Sequence, residues 1–186
     1  MYEKIIVDAD ICIKLGCSKK YPFLKEVLPL LANEIFMHYY AFNEIITPGS
    51  AKQQLEDLIS QNKLILVNEM TLNSQERHIY DMIFNQLTNV MIDPRRPNKN
   101  KGEVCSLAYA KVKGIPIFVT DECDLQPIID TQLNTGLNDI HCLRIIDIIK
   151  MGKNGEINLP RKKAKNIWLI SKKDKTEFDC SIWPIL

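Results

Sequence analysis

Asp8, Glu44, Glu103 and Asp121 are separated by long stretches of chain, yet each stands where an element of structure should begin or end. Asp8 follows the apolar run KIIV, Glu44 follows IFMHYYAFN, Glu103 opens the segment GEVCSLAYAK, and Asp121 follows IPIFVT. Carboxylates gathered at one edge of a sheet repel one another unless a divalent cation neutralises them, so the pattern reads first as an oxygen-donor metal site. Magnesium and manganese favour such donors, keep several waters and accept substrate phosphate into their shell. A metal held this way can lower the pKa of a bound water to make a nucleophile, and a second can stabilise a leaving oxygen.

Each residue also has a plainer reading. Asp8 could cap a turn after a strand, and Glu44 and Glu103 could be first-turn acids favoured by a helix dipole. Asp10 suits an outer-shell or capping group. VTDECDL carries three acids, Asp121, Glu122 and Asp124, of which Asp121 is preferred and Asp124 next. Basic residues crowd the same segments: Lys14, Lys19 and Lys20 follow the first acid, while Arg95, Arg96, Lys99 and Lys101 precede Glu103. Positive charge beside carboxylates suits an anionic phosphodiester backbone, although loop charges are often only solvated. His38, His78 and His141 are scattered and form no nucleophile–base motif, and the phosphate-cradling glycine motifs are absent.

The elements that must position these groups are legible as alternating periods. Short β-branched or aromatic runs near 4–9, 35–39, 64–68, 115–120 and 140–145 read as strands. Helices are expected over PFLKEVLPLLAN, where Pro29 kinks or divides the element, over SAKQQLEDLISQNK, and from the N-cap Asn73 with Glu76 three residues on. A fourth runs from Gly102 and Glu103 to about Lys113, stopped by Gly114. The order β-α-β-α-β-α-α-β-α-β-α predicts a mainly parallel α/β sheet covered on both faces, with ligands at the carboxyl ends of its strands. DPRRPNKNK at 93–101 is the clearest long loop.

Taken together, IIVDAD, AFNEI, GEVCSLAYAK and VTDECDL resemble the PIN-domain nucleases in order and spacing over roughly residues 4–149. That resemblance implies a three-layer α/β/α fold and magnesium- or manganese-dependent cleavage of phosphodiester bonds, usually in RNA. Asp8, Glu44, Glu103 and Asp121, with Asp124, would bind the metal, and Lys14, Arg95, Arg96, Lys99 and Lys101 would meet nucleic acid. Many small members are toxins of bacterial toxin–antitoxin pairs, which adds a possible antitoxin partner and a homo-oligomer to the expectations. Two other readings use the same residues: the fold acting on DNA, or an inert α/β interaction module whose carboxylates are caps.

Composition bounds these readings. The 186 residues with 46% hydrophobic content suffice for one sizeable core. No apolar run approaches a membrane span, and MYEK leads straight into a strand-like run, so a soluble cytoplasmic protein is expected. Six cysteines without a C-x-x-C pair argue for reduced thiols over a zinc site. Residues 150–179 carry nine Lys/Arg against four Asp/Glu, whereas 1–149 carry fifteen against nineteen. The chain is therefore divided into a nuclease-like domain, 1–149, and a basic extension, 150–186, holding Trp168 and Trp183. Those tryptophans suit packing against the core more than stacking on bases.

Overall fold

A computed structural model describes residues 1–184, so residues 185–186 of the extension lie outside the described residues. Five parallel strands form one sheet: β1 (Tyr2–Val7), β2 (Ala32–His38), β3 (Ile65–Val67), β4 (Ile117–Val119) and β5 (His141–Leu143), in the order β3-β2-β1-β4-β5. β1 is central because it is apolar on both sides. Ile5 and Val7 face one core with Ile117 and Val119, and Ile6 faces the other with Phe118, all buried. A strand buried on both faces needs helices on both, and that is what the chain supplies.

One layer comprises α1 (Ala9–Gly16), α2 (Phe23–Leu31), α4 (Gly49–Ser60), α8 (Ile145–Lys153) and α9 (Arg161–Ile170). The other comprises α5 (Ser74–Met91), α6 (Lys101–Lys113) and α7 (Leu125–Gln132). The architecture is a three-layer α/β/α fold. Asn73 caps α5 with a full capping box through Glu76, and Gly114 ends α6 in the left-handed conformation at φ 60°.

Two connections differ from the sequence reading. Two helices, α1 and α2, lie between β1 and β2, because a turn of apolar residues starts directly after Asp8 and Gly16 packs against Ala51. A short helix α3 (Tyr39–Glu44) likewise precedes α4, with Pro48 at the boundary. Pro29 neither divides nor ends α2; it sits two residues before the helix closes at Leu31, and β2 begins at Ala32 without a loop.

Residue 150 falls inside α8, and the chain beyond it joins the sheet's own core. Trp168 is buried, donates from Nε1 to the Asp174 carbonyl at 2.6 Å and packs on Phe178 with ring centroids 6.3 Å apart. All six cysteines are free thiols. Among the described residues, no helix is long and apolar enough to cross a membrane.

Candidate functional site

In a sheet ordered 3-2-1-4-5 the crossovers change direction at β1, which leaves a crevice at the carboxyl ends of β1 and β4. Asp8 stands there at the end of the central strand, fully buried. It occupies the N-cap position of α1 but makes no capping hydrogen bond, so the plain capping role does not account for its side chain. Oδ2 accepts a hydrogen bond from Thr120 Oγ1 at 3.3 Å, and Oδ1 has no partner. A buried carboxylate oxygen without a well-placed donor costs free energy.

Other acids surround it. Burial pushes the Asp8 carboxyl well above the usual carboxylate range, Glu103 reinforces the rise, and Asp10 and Glu122 add to it, against the nearby Ala9 amide. Glu103 is itself raised by burial, with repulsion from Glu122 and Asp10. Glu44 completes the set from α3: burial and then Glu103 raise it to about 7, while the Gly102 amide, donating to Oε1 at 3.3 Å, holds it back. The glycine at 102 lets the Glu44 carboxylate come close to its amide; a Cβ there would push that carboxylate aside.

The fold thus brings Asp8, Glu44 and Glu103 within electrostatic reach and adds Asp10 and Glu122. Asp121 behaves differently. Its buried carboxylate is held by Lys14 at 3.1 Å and Lys173 at 3.0 Å, and it accepts from the Ile145 amide at 3.3 Å. Those three donors occupy its oxygens. Asp124 is exposed at the start of α7 and is not among the acids that act on Asp8 or Glu103. Of the three acids left open in VTDECDL, Glu122 acts on both Asp8 and Glu103, and Asp121 shares Lys14 with Asp10.

Among the basic residues, Lys14 enters the crevice, bound to Asp10 at 2.7 Å as well as to Asp121. Burial disfavours its charge, but the two acids outweigh burial and hold its pKa above the ordinary value. Lys99 stabilises the charged form of Glu103, and Lys101 lies over the Tyr40 ring at 4.9 Å. Arg95 and Arg96 are exposed in the preceding loop and form no ion pair among the described residues.

Among the described residues, no group of three Asp, Glu, His or Cys side chains is gathered into a ready metal cage. Magnesium seldom needs one, since one or two carboxylates with waters and a phosphate suffice. The unpartnered Oδ1 of Asp8, beside acids that raise one another's pKa, fits a hard cation in that manner.

The Glu44 shift has a pH signature. Between its ordinary value of 4.5 and about 7 the folded state holds a proton that the unfolded state releases, so stability falls as pH rises through this window. Glu44→Gln keeps the oxygen that accepts from Gly102 and removes the penalty. It is expected to raise Tm more at pH 8 than at pH 5, measured by scanning calorimetry without divalent metal; an equal change at both would refute the assignment.

Thr120, Gly102 and Lys173 were not singled out by sequence reasoning. Thr120 carried a usable signal, since it directly precedes Asp121 at the end of a strand. Lys173 carried none, because its partner Asp121 lies 52 positions away, in the loop after β4. Comparison with family models, curated proteins and solved structures finds no match, so the crevice is read from its own geometry.

Proposed function

We propose that the protein is a metal-dependent phosphodiesterase that cleaves RNA. The observation that carries this reading is the buried Asp8 carboxylate at the switch point, with one oxygen unpartnered, three acids acting on it (Glu103, Asp10 and Glu122) and Glu103 acting in turn on Glu44. The choice of RNA rests on the resemblance to the PIN-domain nucleases.

Asp8 and Glu103 would hold magnesium or manganese, flanked by Glu44 and Glu122. When bound, the cation supplies a water of lowered pKa and neutralises charge on the phosphate. Thr120 fixes the Asp8 side chain by donating to Oδ2 while accepting the Glu122 amide at 3.3 Å. Glu44, pushed up to about 7 by burial and Glu103, is suited to take up or deliver a proton at Oε2, since Oε1 is engaged by Gly102. Lys14 places a positive charge beside Asp10, where an anionic backbone would otherwise be repelled by the acids.

The test is cleavage of labelled RNA and single-stranded DNA with manganese, with magnesium and with chelator. RNA cut only with a divalent metal is the expected result. Absence of cutting on both substrates, together with no change in Tm on adding manganese, would overturn the proposal.

A further inference from the structure

A second concavity lies next to the carboxylates. It has a volume of about 240 Å³ and opens at the carboxyl end of β2, between the turn Glu69–Thr71, α5 and the start of α6. His38, Tyr40, Glu69, Tyr80, Phe84 and Lys101 line it. Two of these connect it to the site: Tyr40 is one turn from Glu44 on α3, and Lys101 precedes the Gly102 that holds Glu44.

Its walls are planar and carry both signs of charge, Lys101 and Arg77 facing Glu69 and Asp81, with Arg77 paired to Asp81 at 2.9 Å. Tyr80 and Phe84 lie stacked with centroids 6.0 Å apart and planes 17° from parallel, and the Arg77 guanidinium stands over the Tyr80 ring at 5.7 Å. Unpaired bases are held by this combination of aromatic faces and cations.

Its polar groups are specific. His38 Nδ1 accepts the Tyr40 amide at 3.1 Å, which places the imidazole proton on Nε2. Burial keeps the ring neutral, with a pKa lowered to about 4. The Nε2–H is buried without a hydrogen-bond partner, and Glu69 Oε2, at 3.5 Å, is beside it without satisfying it. An N–H donor next to a carboxylate acceptor is the complement of a base edge that sets an oxygen beside N–H groups. Guanine, with O6 next to N1–H and the 2-amino group, matches both partners most fully.

We propose that this cavity seats a nucleobase of the bound strand, guanine by its edge, and so sets which phosphate lies over the carboxylates. The inference rests on the phosphodiesterase reading and adds its specificity. The O6 oxygen accepts from His38 Nε2, and the Glu69 carboxylate accepts from the base N–H groups.

The experiment measures binding by fluorescence anisotropy in chelator, so that nothing is cut. Its probes are labelled oligouridines carrying one central guanine, adenine, cytosine or uracil. Wild type is expected to bind the guanine strand about tenfold more tightly, the scale of one good paired contact. His38→Ala and Glu69→Gln should each erase that preference, bringing the guanine strand level with the other three. Glu69→Gln covers the case in which loss of the buried imidazole unfolds the chain. An unchanged base profile in Glu69→Gln, or a wild type that binds all four strands equally, overturns the inference even if metal-dependent cutting is intact. A wild type that neither binds nor cuts any strand overturns the phosphodiesterase reading itself, and the base pocket with it.

Discussion

Asp8→Asn is expected to abolish metal-dependent cleavage of RNA and to leave Tm unchanged or raised. Losing an outer-shell partner of a metal site already costs 10–100-fold, so losing a direct ligand should cost about 100-fold or more in rate. The stability direction follows from the raised pKa. Between the ordinary value of 3.8 and the elevated one, folded Asp8 holds a proton that the unfolded chain releases, so its contribution worsens as pH rises. Asparagine is neutral throughout, can still accept from Thr120, and turns an amide towards the neighbouring acids. The Tm gain without metal should therefore be larger at pH 8 than at pH 4. Paired rate assays and calorimetry decide it: undiminished cutting removes Asp8 from the mechanism, and a drop of several degrees shows that the charge is held by the fold.

Trp168→Ala should have the largest effect on stability. Removing a buried tryptophan costs about 3–5 kcal/mol. At roughly 2–4 °C per kcal/mol for a chain of this size, Tm should fall by about 6–20 °C. The lost contacts include the Phe178 ring and the hydrogen bond to the Asp174 carbonyl. The same change frees Lys173, whose Nζ sits 5.2 Å from the indole centroid and 3.0 Å from Asp121. Calorimetry that shows a single transition shifted by less than about 2 °C would separate the segment after residue 150 from the cooperative core.

The fold was legible because its signals are local. Buried β-branched runs, the Asn73 capping box and the Gly114 stop are each written in a few consecutive residues, and each took the form expected. The short helices α1 and α3 were hidden because one or two turns carry too little periodicity to separate from a loop. The site was legible in its outline, since Asp8 and Glu103 sit at element boundaries that pattern alone locates. Among the acids of VTDECDL, pattern alone does not separate one from the next. Asp121 and Glu122 are adjacent in sequence, and what distinguishes them is that Lys14 and Lys173 close on the first. Lys173 reaches Asp121 only through tertiary packing. The cavity beside Glu44 was invisible for a similar reason: His38, Glu69, Tyr80 and Lys101 meet only once β2, α5 and α6 have packed.

The parallel order of the strands also sets a timetable for synthesis. Asp8 is made before the groups that hold it: the Thr120 hydroxyl that fixes it follows 112 positions later, and Lys173 later still. Contacts this distant in sequence form slowly and only after both partners exist. A nascent chain therefore carries the acid long before it carries the groups that hold it in place, and the crevice closes only once Lys173 has been made.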